Sequence, residues 1–77
     1  MNDLFSTSDL LLATVVSLHF PIEATEKTNE GKIIFYFKRS SELDKLIELF
    51  WKKQLKIEPQ LLFYQLKFLK SFIYSDK

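Results

Sequence analysis

Seventy-seven residues with no cysteine, one histidine and a formal net charge of +1 allow one small domain, held together without disulfides and without the ligands of a structural zinc site. Apolar residues make up 47% of the chain and aromatic residues 16%. That is more than a single small core readily encloses, so dense aromatic packing or oligomerisation is expected. The near-neutral total hides a gradient: residues 1–31 carry Asp3, Asp9, Glu23, Glu26 and Glu30 against Lys27, whereas residues 50–77 carry six lysines against Glu58 and Asp76. Such polarity suits a polyanionic partner, head-to-tail association or complementarity within one fold. The opening MNDLFSTSD has no basic segment followed by an apolar run, and the longest apolar stretch, Leu10 to Phe20, is interrupted by Thr14, Ser17 and His19 and is too short to cross a bilayer. A cytoplasmic protein with no membrane role is the expectation.

In chain order, residues 1–6 are expected to be loosely ordered. Ser6, Thr7 and Ser8 then precede Asp9 and a run of leucines, a pattern that caps orphan amides and predicts a helix over Ser8–His19. Pro21 cannot continue it, and Phe20 before the proline is pushed toward an extended conformation. Leu10, Leu11, Leu12, Val15, Val16 and Leu18 make this helix apolar on nearly every face, so it belongs at the centre of the domain or in an interface. The β-branched run Thr14, Val15 and Val16 leaves a strand reading open at this point.

Segments Ile22–Thr28 and Lys32–Lys38 flank Asn29, Glu30 and the only glycine, Gly31, which predicts a β-hairpin. In its second strand Ile33, Phe35 and Phe37 share one face, with Ile34, Tyr36 and Lys38 on the other. Leu43, Leu46, Ile47 and Phe50 keep helical spacing after Ser40 and Ser41, and Glu48 and Lys52 form a favourable i, i+4 pair. After Leu55, Lys56 and Ile57, the pair Glu58-Pro59 opens a last helix reaching Tyr74. Its expected buried spine is Leu62, Leu66, Leu69 and Ile73, flanked by Leu61, Phe68 and Phe72. Tyr64, Lys67, Lys70 and Tyr74 fall on its outward side, and residues 75–77 are expected to be loose.

The expected architecture is therefore a single compact α+β domain over residues 1–77, of order α-β-β-α-α, with a two-stranded antiparallel hairpin packed by helices. Catalysis requires a positioned base or nucleophile, and one histidine with carboxylates concentrated at helix starts and near a hairpin argues against an enzyme. His19 suits a capping or boundary role better than general-base chemistry. Gly31 stands alone, so there is no phosphate loop, and no cofactor or metal is implied.

Non-catalytic binding remains. Trp51 follows the core position Phe50 by about 100° of helix, which places it at a boundary or an exposed site. With Tyr64, Lys67, Lys70 and Tyr74 it forms the candidate interaction surface. The leading expectation is a protein-interaction or regulatory module that self-associates, as a dimer in the simplest case, or binds another protein. The alternative is a nucleic-acid-binding accessory protein in which tyrosines stack on bases and lysines follow the backbone, although Arg39 is the only arginine.

The N-terminal Asp-Leu helix, the aromatic strand IIFYF, the SSELDKLIELFW helix and the LKIEP to LKFLKSFIY ending resemble a family of small domains of unknown function found in bacteria, archaea and their viruses. The resemblance spans about Thr7 to Tyr74. It implies a compact single domain and carries no activity, cofactor or site residue.

Overall fold

The computed structural model describes residues 3–74, which form strand β1 (Leu4–Thr7), helix α1 (Leu10–Ser17), strands β2 (Ile22–Lys27) and β3 (Ile33–Lys38), and helices α2 (Ser41–Trp51) and α3 (Pro59–Tyr74). Expectations for residues 1, 2 and 75–77 lie outside the described residues. The domain is α+β, but its sheet has three strands in the order β1-β3-β2, with both pairings antiparallel. This corrects the expected two-stranded hairpin, and the element order becomes β-α-β-β-α-α. It also corrects the expectation that residues 1–6 are loose throughout, because Leu4, Phe5 and Ser6 are paired in β1.

The physical reason lies in β3, which is apolar on both faces. Such a strand sits badly at an edge and makes only a marginal sheet with one neighbour. Strand β1 supplies the second neighbour, with Phe5 opposite Phe37 and Thr7 opposite Phe35. On the other side Ile22 lies opposite Phe37 and Thr25 opposite Phe35, with a bulge between Ile22 and Ala24. Strands β1 and β2 therefore run the same way with β3 between them, and α1 makes the crossover in a split β-α-β arrangement.

Helix α1 starts later than the hydroxyl-rich segment predicts. Its N-cap is Asp9, whose carboxylate accepts hydrogen bonds from the amides of Leu11 (3.0 Å) and Leu12 (3.2 Å). Thr7 is already committed to the sheet, and its Oγ1 accepts from the Asp9 amide. The strand reading of Thr14 to Val16 fails because these residues are helical, and buried Thr14 satisfies its hydroxyl within the helix by donating to the Leu10 carbonyl at 2.7 Å. Leu12, Ala13, Val15 and Val16 are all buried, so α1 is central, between α2 and α3.

The hairpin loop is organised by Thr28, whose Oγ1 accepts from the amides of Glu30 and Lys32, and Gly31 takes the positive φ (+84°) expected of it. Ser40 caps α2 by accepting from the Leu43 amide at 3.1 Å. The helix ends with Lys53 in the left-handed conformation (φ +60°) and the Gln54 amide returned to the Leu49 carbonyl. Glu58 opens α3, its carboxylate accepting from the Leu61 amide at 2.8 Å.

All three helices cover the Ile33, Phe35 and Phe37 face of the sheet, where the core also takes in Leu43, Leu46 and Leu69. If β1 is an integral strand, Phe5→Ala lowers unfolding stability by about 2 kcal/mol, less than the roughly 3–5 kcal/mol of a fully buried Phe→Ala because Phe5 is half-buried. Urea unfolding followed by circular dichroism measures this, and an unchanged midpoint would contradict a structural role for β1.

Candidate interaction surface

Helix α3 carries the candidate residues because its sequence offers more apolar side chains than one contact face holds. Only Leu69 is fully buried, while Leu62, Leu66, Phe72 and Ile73 are half-buried. At 100° per residue, Tyr64, Lys67, Lys70 and Tyr74 fall within about 120° of helix surface. All four are exposed, Tyr64 at 65% and Tyr74 at 75%. The structure thus brings these four together on one outward arc. Lys67 Nζ lies 5.0 Å from the centre of the Phe63 ring, and that ring leans against Tyr64 at 6.2 Å. No carboxylate occurs anywhere in α3.

Trp51 is not part of that arc. It is the last residue of α2, 61% exposed, with its ring edge-to-face against Phe50 at 5.0 Å. Phe50 in turn lines a groove of about 330 Å³ with Leu11, Val15, Leu55, Ile57 and Leu62, and Lys53 stands at its side.

Two residues expected to flank the core are instead exposed. Leu61 and Phe68 are each 53% accessible and lie on the same flank of α3 as Gln65 and Phe72. Phe68 and Phe72 pack edge-to-face at 5.4 Å, and Phe72 meets Phe35 at 6.1 Å, so this flank continues the core outward. Gln65 Nε2 donates to Ser17 Oγ at 2.9 Å and ties the flank to α1. Between it and Pro21, Ile22 and Thr25 runs a groove of about 460 Å³. In the sequence these residues keep the spacing 61, 65, 68, 72, a stripe of Leu, Gln, Phe and Phe beside the 62, 66, 69, 73 spine.

Three titratable pairs stand out at the surface. On the outer face of the sheet, the Tyr36 hydroxyl donates to Glu26 Oε1 at 2.5 Å, and that bond to a carboxylate holds the phenol above its ordinary pKa. Glu48 is held below the usual carboxylate range by its hydrogen bond and charge contact with Lys52 at 2.9 Å. Arg39 lies 3.4 Å from Asp44. His19 is exposed, and among the described residues nothing joins it to a carboxylate and no three His, Cys, Asp or Glu side chains cluster as metal ligands. No helix of the described residues is long and apolar enough to cross a membrane.

The sheet edges are guarded: β1 has four residues, and β2 carries a bulge together with Glu23, Glu26 and Lys27.

No curated protein and no solved structure matches the chain. A family does match, over residues 2–75 and so across all six elements: the chain belongs to the family described as a domain of unknown function (DUF5659).

Proposed function

We propose that this domain is a non-catalytic protein-interaction module of the cytoplasm, regulatory in role, that associates with a second copy of itself. The observation that carries this reading is the exposed aromatic surface. Trp51, Leu61, Phe63, Tyr64, Phe68 and Tyr74 are each more than half accessible, and five of the six lie on α3. Isolated exposed apolar residues are ordinary, but several on one helix, Leu61 and Phe68 on one flank and Phe63, Tyr64 and Tyr74 on its outward side, are what partners cover. Tyr and Trp are also the side chains that supply interface energy at low entropic cost.

A second reading rests on the outward arc of α3, where Tyr64, Lys67, Lys70 and Tyr74 are free of acidic neighbours on the same helix. That combination fits a single-stranded nucleic acid, with tyrosines stacking and lysines following the phosphates. It ranks second because Arg39, the only guanidinium, is engaged by Asp44.

Light scattering behind a sizing column tests the first reading. At tens of micromolar the protein is expected at twice the mass of one chain, and the dimer is expected to persist in high salt because its contact is apolar. A monomer at every concentration would sink it. For the second reading, single-stranded oligonucleotides are expected to bind with an affinity that falls steeply with salt, and Lys67→Glu with Lys70→Glu is expected to weaken binding at least tenfold without unfolding the domain. Absence of binding by the unaltered protein would rule this reading out.

A further inference from the structure

Helix α3 presents two faces to solvent, and both repeat with coiled-coil spacing. One holds Leu61, Gln65, Phe68 and Phe72; the other holds Phe63, Lys67, Lys70 and Tyr74. Charge separates them. If the second face met its own copy, Lys67 and Lys70 would be driven against the lysines of the partner helix, which is unfavourable. The first face has no charged residue, and Lys67 and Lys70 point away from it by more than 90° of helix rotation.

We infer that the Leu61, Gln65, Phe68 and Phe72 flank of α3 is the seam on which a second copy of this chain docks, with the two α3 helices antiparallel across a two-fold axis. The inference rests on the self-association proposed above and names its surface. The spacing is symmetric about the midpoint of the stripe, so an antiparallel copy sets Leu61 opposite Phe72 and Gln65 opposite Phe68. Each large ring then meets a different side chain, whereas a parallel arrangement would stack Gln65 on its own copy. Gln65 already donates one Nε2–H to Ser17 Oγ, so its amide enters the seam held in place and partly satisfied. The docked Phe68 falls at Gln65, which forms one wall of the groove bounded by Pro21, Ile22 and Thr25, and the groove gives its ring a place to enter. Opposed helix directions also align the macrodipoles favourably. The seam is about 17 Å long from Leu61 to Phe72, and the groove lies along its Gln65, Phe68 and Phe72 portion.

The test is the mass in solution of three forms of the full chain: unaltered, Leu61→Glu/Phe68→Glu, and Phe63→Glu. The expected result is a dimer for the unaltered chain and Phe63→Glu, and a monomer for Leu61→Glu/Phe68→Glu, with its dissociation constant raised at least a hundredfold. Circular dichroism checks that each variant is folded, and Phe68→Ser replaces the double variant if that one is not. A dimer that survives loss of Leu61 and Phe68, or one abolished by Phe63→Glu alone, would overturn this seam and leave self-association through another surface. A monomeric unaltered chain would instead remove self-association itself, and the seam with it.

Discussion

Strand β3 is the constraint on which the rest of the fold depends. With Ile33, Phe35 and Phe37 on one face and Ile34 and Tyr36 on the other, it has to be paired at both edges and covered where its rings are largest. Pairing recruits β1 and β2, and covering Phe35 and Phe37 brings all three helices to the same side. Helices pack about 8–10 Å apart, whereas strands lie about 4.8 Å apart. Three helices are therefore wider than three strands. Helix α1 takes the middle and is buried throughout its centre, and the outer helices overhang. The flattened shape, 36 × 36 × 18 Å, is what such a two-layer arrangement of unequal widths produces.

The overhang explains why an apolar helix ends up displaying apolar residues. Helix α3 reaches the sheet with one end of its stripe, where Phe72 meets Phe35, and buries Leu69 against the centre. Its remaining apolar side chains have no sheet beneath them. Phe68 is left facing solvent beside the bulged edge of β2 and Leu61 beside Leu18 and Ile57, and the bulge and charges of the β2 edge discourage strand addition there. The lysines on the outward arc keep that arc wet, which leaves the uncharged Leu61 and Phe68 flank as the surface on which the proposed seam forms.

What the sequence made legible follows from how local each signal is. The hairpin was readable because Gly31 and the alternation of IIFYF act within a few residues, and α2 because Ser40, the apolar spacing and the Glu48–Lys52 pair all agree. Pro59 marked the first turn of α3 for the same reason. Strand β1 was not readable, since Leu4 to Thr7 contains one inward-facing aromatic, Phe5, and its last two residues, Ser6 and Thr7, run on into Ser8 as three successive hydroxyls that look like a cap. Its strand state is decided thirty residues away, by the unpaired edge of β3. The candidate surface was half legible. The grouping of Tyr64, Lys67, Lys70 and Tyr74 follows from helical geometry alone, whereas the exposure of Leu61 and Phe68 depends on the width mismatch between layers, which no periodicity encodes. Trp51 was correctly placed as a boundary or exposed residue, but nothing local showed that it belongs to a different patch from the α3 residues.

The decisive measurement is a distance between two copies of α3. The chain has no cysteine, so a single Tyr74→Cys carries one spin label per chain, and pulsed electron paramagnetic resonance reads the separation. An antiparallel seam centred between Gln65 and Phe68 offsets the two positions by about 23 Å along the helix axis, and one narrow distance at or somewhat above that value, allowing for the label arms, is the expected result. A separation below about 15 Å, as parallel helices would give, or the absence of any dipolar coupling at concentrations where the chain is fully folded, would contradict it.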